Sequence, residues 1–123
     1  MKVDSELLSV FVEEMDELIS VSDKALTEKD PKELYRVYHI LRGNAALLNL
    51  NQLTILAKAC CSFLFPLRNN GSLDDTSILE ECHNKLIQFR QSTDLGLDDS
   101  HINVRHIVAK LKKSSRELSE MSH

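Results

Sequence analysis

A chain of 123 residues, 42% hydrophobic and 28% charged, is long enough to bury a real core as one soluble domain. Its formal net charge of −4 speaks against a general nucleic-acid binder. No apolar run approaches bilayer-spanning length, the acidic N-terminus is unlike a signal peptide, and three cysteines, two of them adjacent, do not make a disulfide framework. The expectations are a reducing cytoplasm, no membrane and no nucleic acid.

Residues 4 to about 27 read as one long helix. Leu7, Leu8, Phe11, Val12, Met15, Leu18, Ile19 and Leu26 share a face, and Glu13, Glu14, Asp16 and Glu17 lie largely off it. Asp4 or Ser5 can cap its start. Asp30-Pro31-Lys32-Glu33 is a second start signal, with Asp30 at the N-cap, Pro31 at N1 and Glu33 at the capping-box position. The helix it opens runs to about Leu48 on a buried stripe of Leu34, Val37, Tyr38, Leu41, Ala45 and Leu48. At Asn49 the chain must turn sharply through left-handed backbone, which asparagine tolerates. Asn51 is placed to cap a third helix with Leu53, Leu56, Ala57, Cys60, Leu64 and Leu67 inward, and Pro66 interrupts its last turn.

Asn69-Asn70-Gly71-Ser72 reads as a loop. A fourth helix from about Asp75 to Ser92 buries Ile78, Leu79, Cys82, Leu86 and Phe89. Thr93 to Ser100 is a polar connector around Gly96. A fifth helix from about His101 to Leu118 carries Val104, Ile107, Val108 and Leu111 on one side, and its polar last residues are expected to fray. Almost nothing alternates as a strand does. The expected fold is all-α: an up-down four-helix bundle over residues 1–92, with a connector and fifth C-terminal helix over 93–123 in the same domain.

Within the second helix, His39 falls about 140° from the centre of the apolar stripe, at 100° per residue, and so faces solvent. Gly43 lies one turn further on. Helical side chains lean toward the N-terminus, so a bulky residue at 43 would cover the imidazole, whereas glycine leaves it bare. Glycine inside a helix costs roughly 1 kcal/mol relative to alanine, and no turn or cap explains this one. Access to His39 is the reason proposed for it. Arg36 and Arg42, at i−3 and i+3, flank the ring with positive charge. Such an imidazole suits a group that receives and hands on an anion.

His39-Ile40-Leu41-Arg42-Gly43-Asn44-Ala45-Ala46 resembles the His-x-Leu-Lys-Gly-x-x motif of histidine-containing phosphotransfer (HPt) domains. Phe11-Val12-Glu13-Glu14-Met15-Asp16-Glu17-Leu18 resembles the first helix of the N-terminal phosphoacceptor domain of chemotaxis-type (CheA-type) histidine kinases, and Leu67-Arg68-Asn69-Asn70-Gly71 followed by Ile78-Leu79-Glu80-Glu81-Cys82 resembles its passage from third to fourth helix. The likeness covers roughly residues 7–92. It implies that His39 attacks through Nε2, taking a phosphoryl group from a histidine kinase catalytic domain or a receiver domain. The group then passes to an aspartate of a response-regulator receiver domain. A neutral imidazole keeps a ring-nitrogen lone pair free to attack phosphorus. The chain carries neither a Gly-rich phosphate loop nor a Walker lysine, so the expectation is a carrier and kinase substrate, not an enzyme, with no cofactor.

Several positions depart from the family pattern. Arg42 stands where lysine is usual, offering a planar fork in place of a compact ammonium. Asn49 stands where glycine is usual. Cys61 falls where kinase-linked members carry a glutamate that hydrogen-bonds the phosphoacceptor ring, and a thiol does this poorly. Lys58, on the flank of the third helix beside Thr54 and Cys61, is a candidate second cation. Phe65, on the same flank, is a candidate for a receiver-docking patch. Plainer readings stand beside each: a surface histidine, solvated Arg42 and Lys58, and Cys60, Cys61 and Cys82 as small buried hydrophobes. No metal is expected, because His101 and His106 are off one helical face and no Cys-x-x-Cys or His-x-x-x-His pairing exists. Two competing functions are an HPt-like bundle that binds a kinase or receiver without accepting phosphate, and a plain structural bundle.

Overall fold

Two tight corners set the arrangement of the first three helices, and both close in the same way. In the computed structural model, which describes residues 5–95 and 98–121, α1 spans Ser5–Thr27, α2 Pro31–Leu47 and α3 Asn51–Leu64. At the end of α1, Lys29 takes φ 56°, its N–H donates to Leu26 O, and Asp30 N–H donates to Ala25 O. At the end of α2, Asn49 takes φ 59°, with the matching bonds Asn49 N–H to Ala46 O and Leu50 N–H to Ala45 O. Both are Schellman endings, in which one left-handed residue lets two late amides satisfy the last carbonyls. The asparagine was expected to do this; the lysine was not, because its side chain has no special tolerance for that conformation.

Helix α2 starts as the sequence indicates. Asp30 is its N-cap and accepts from Glu33 N–H at 3.2 Å, with Pro31 next. Glu33 does not complete a capping box; its carboxylate is taken by Arg36 instead. Helix α3 begins differently from expectation. Asn51 is its first residue, Leu50 is the N-cap, and no side chain of either caps it. The orphan amide of Leu53 is instead met by Asp99 Oδ2 at 2.8 Å, from a connector 46 residues later. Pro66 then ends α3 at Leu64, and Phe65–Leu67 tighten into a 3-10 turn.

Helix α4 spans Ser77–Ser92, shorter at its start than expected, with Asp75 accepting from Ser77 N–H at 2.9 Å. A 3-10 turn over Thr93–Leu95 follows, and Gly96, expected at the centre of the connector, lies outside the described residues. Helix α5 spans Arg105–Met121, four residues later than the expected start at His101. Ile102 and Val104 are buried ahead of it, and Asn103 Oδ1 accepts from Arg105 N–H.

The first four helices form a closed ring: α1 packs on α2, α2 on α3, α3 on α4, and α4 back on α1. Helix α5 lies outside the ring against α3 and α4. The protein is thus an all-helical bundle, with no strand among the described residues. The whole expected stripe of α2 (Leu34, Val37, Tyr38, Leu41, Ala45, Leu48) is buried, as are Leu53, Leu56, Ala57, Cys60 and Leu64 of α3. Leu7 is a correction. It stays exposed, while Ser22 and Ala25 take up the inner face of α1 near its end. Ser22 is there for a polar reason: its hydroxyl hydrogen-bonds Nδ1 of buried His83 at 3.0 Å, tying α1 to α4.

Candidate functional site

His39 sits on the outer face of α2, exposed, nine residues into the helix. Gly43 follows one turn on, and a Cβ built there meets no neighbouring atom within 4 Å. Packing inside the protein therefore places no demand on glycine at this position, and the space beside the ring stays open. On the other side the imidazole leans back, as helical side chains do, and stacks on Tyr35 with ring centroids 5.9 Å apart and planes 18° apart. Among the described residues, no side chain hydrogen-bonds the imidazole.

Tyr35 leads to a second element. Its ring meets Phe65 edge-on at 6.0 Å, and Arg68 lies over both, 3.7 Å from the Phe65 centroid and 5.6 Å from that of Tyr35. Arg68 also donates from Nη1 to Phe65 O at 2.6 Å. This grouping exists because Pro66 breaks α3. The 3-10 turn after Leu64 throws Phe65 outward and folds Arg68 back across it. His39, Tyr35, Arg36, Arg68 and Lys32 line one cleft of about 380 Å³, together with the carboxylates of Asp30 and Glu33.

The charges around the ring are not equivalent. Arg36 was expected to flank His39 as a cation, but its Nε and Nη2 bind Glu33 Oε1 at 3.0 and 2.5 Å. That bond holds the Glu33 carboxyl below its ordinary range and raises Arg36, so the pair contributes little net charge. Arg42 is exposed and close enough to Cys61 for its charge to bear on the thiol. Cys61 itself is buried at 5% exposure, and burial pushes its thiol up to about 11, against the opposing pull of Arg42. A neutral thiol is all it offers, and no hydrogen bond joins it to His39. Lys58 is exposed and borders a groove between α3 and α5 together with Lys112 and Arg116. Thus α2 groups His39 with Arg42 and Gly43, while Lys58 shares its groove with α5.

Tyr35 and Arg68 carried no assigned role in the sequence. Tyr35 stood at i−4 from His39, the spacing at which helical side chains meet, and that was the signal for it. Arg68 depends on how the chain folds after Pro66, which no local pattern specifies. All three cysteines are free and buried.

A family model described as the Hpt domain matches residues 6–92. The chain belongs to the Hpt domain family, a class of helical bundles that serve histidine phosphotransfer in phosphorelays as phosphocarriers rather than as enzymes. Neither the comparison with characterised proteins nor that with solved structures returned a significant match. Helix α5 lies beyond the matched span. No helix among the described residues is long and apolar enough to cross a membrane.

Proposed function

We propose that His39 is the phosphoacceptor of a two-component or phosphorelay system. It takes a phosphoryl group from a histidine kinase catalytic domain, or from a receiver phosphoaspartate, and passes it to an aspartate of a response-regulator receiver domain. One observation carries the assignment. The matched span holds two histidines, His39 and His83, and only His39 faces solvent; His83 is buried and bonded to Ser22. In the reactive tautomer the hydrogen is on Nδ1, leaving the Nε2 lone pair to attack. The new N–P bond forms as the bond from phosphorus to the donor oxygen breaks, releasing ADP or a free aspartate. Transfer onward reverses the roles: an aspartyl oxygen attacks phosphorus and the imidazole leaves.

In this reading Gly43 keeps the path open, Arg42 supplies charge from the C-terminal side, and Phe65 belongs to the surface a receiver meets. Lys58 fits a supporting role less well than it did from the sequence, given its place on the α3–α5 groove. The flanking motifs favour the phosphoacceptor domain of a chemotaxis-type kinase, acting in the cytoplasm. Residues 93–123 then belong to the same domain, a view supported by the Asp99 bond to α3 and by α5 packing on α3.

A second reading keeps the bundle as a binding module that is never phosphorylated. What favours it is Cys61: a buried neutral thiol cannot orient the imidazole as a carboxylate would. Incubation with a cognate kinase and labelled ATP separates the two. The first predicts an acid-labile, base-stable label that disappears in His39→Gln, and a faster label in Cys61→Glu. Binding without label supports the second.

A further inference from the structure

We propose that Arg68 is the residue that holds the phosphoryl oxygens of an incoming phosphodonor in the cleft beside His39. The proposal rests on the phosphoacceptor reading and adds a residue and a side of approach to it. Three cations line that cleft, Lys32, Arg36 and Arg68, with two carboxylates: Glu33, bound to Arg36, and Asp30, which caps α2. Arg36 is neutralised by Glu33. Lys32, itself exposed in the first turn of α2, makes no hydrogen bond, ion pair or ring contact among the described residues, so nothing fixes its ammonium. Arg68 differs on both counts.

Its place is fixed by three contacts, the Phe65 ring, the Tyr35 ring and the Phe65 carbonyl, and none of them carries a formal negative charge. Ring faces attract a guanidinium through their quadrupole and leave its charge intact. A carboxylate in the same place would have cancelled it. No carboxylate pairs with Arg68 among the described residues. One of its five N–H donors is committed to the Phe65 carbonyl, and the planar fork that matches a phosphoryl group is otherwise open. The order of the side chains then defines a direction. Arg68 rests on Tyr35, Tyr35 stacks on His39, and the cleft they share lies on the N-terminal side of the imidazole, opposite Gly43. A phosphodonor seated there has its oxygens on Arg68 and its phosphorus toward the ring. Arg68 would hold the donor and leave the bond-making step to His39.

Phosphoramidate tests this with the protein alone. Its phosphorus accepts the imidazole lone pair as the P–NH₃⁺ bond breaks and ammonia leaves, so no partner protein is needed. The labelling rate is measured against phosphoramidate concentration at several salt concentrations, for the wild type, Arg68→Gln, Arg68→Lys and His39→Gln. Arg68→Gln is expected to raise the apparent KM about tenfold or more, with kcat within about twofold, and to flatten the salt dependence. Arg68→Lys is expected to restore the salt dependence but only part of the KM, because an ammonium has no fork. An unchanged KM in Arg68→Gln, or a loss confined to kcat, overturns the role given to Arg68 while leaving His39 in place. Label that survives in His39→Gln, or a wild type that takes none, overturns the phosphoacceptor reading and this one with it.

Discussion

Two histidines on opposite helices of one ring, α2 and α4, have opposite surroundings because of the faces their helices turn outward. His83 points into the α1–α4 seam, where its Nδ1 needs and finds the Ser22 hydroxyl. His39 points to water, over Tyr35, with empty space where the side chain of residue 43 would be. That emptiness makes Gly43 a clean test. A leucine there meets no neighbour at its Cβ and gains helix propensity of somewhat under about 1 kcal/mol, so the thermal midpoint should hold or rise slightly. The leucine would lean back over the imidazole, and phosphorylation of His39 should fall by about tenfold or more. Rates equal to wild type in Gly43→Leu would mean that the glycine has nothing to do with access.

At the scale of the elements, helix α3 shows how the outer layer is tied to the ring. Its first turn has no cap of its own, and the carboxylate of buried Asp99 serves instead, a negative group at the positive end of a helix. Asp99→Ala should cost about 1–2 kcal/mol of unfolding free energy in urea titrations, and Asp99→Asn less. A loss below a few tenths of a kcal/mol would show that the connector does not support α3. This tie marks the limit of what the chain pattern discloses. The stripe of α2 follows from apolar spacing, and its start from Asp30-Pro31, because both are set by residues within one or two turns. The same spacing put His39 outside and Gly43 above it. The Asp99 cap, the late start of α5 and the placement of Arg68 over Tyr35 all depend on how segments far apart in sequence meet. Left-handed backbone at Lys29 likewise has no signal in its residue type; its carbonyl accepts from Leu73 N–H, a bond across the loop before α4.

Across the molecule, the interior of the ring holds several weak acids in their neutral forms. Burial pushes the Cys61 thiol from its usual 9.0 to about 11, and raises Cys60 and Tyr38 well above their ordinary values. In the unfolded chain these groups ionise at ordinary pH values, so above about pH 9 the unfolded state binds fewer protons than the native one. Their contribution to stability is complete below that point and is lost as pH rises toward 11 and beyond. The urea midpoint should therefore be flat between roughly pH 7 and 8 and fall steadily above 9, with a shallower fall in Cys61→Ala. A midpoint independent of pH up to 11 would contradict the burial of these groups.

The same ring presents one imidazole outward with a cleft on one side and open space on the other, and the functional account depends on that imidazole being where phosphorus lands. The most direct check is phosphorus NMR of the phosphorylated protein under neutral, native conditions, with peptide mapping of the same sample by mass spectrometry. The account predicts a single phosphoramidate resonance of the Nε2-phosphohistidine type and a phosphate mapped to His39. A phosphate mapped to any other residue, or a spectrum with no N–P signal after treatment with an active kinase, would contradict it.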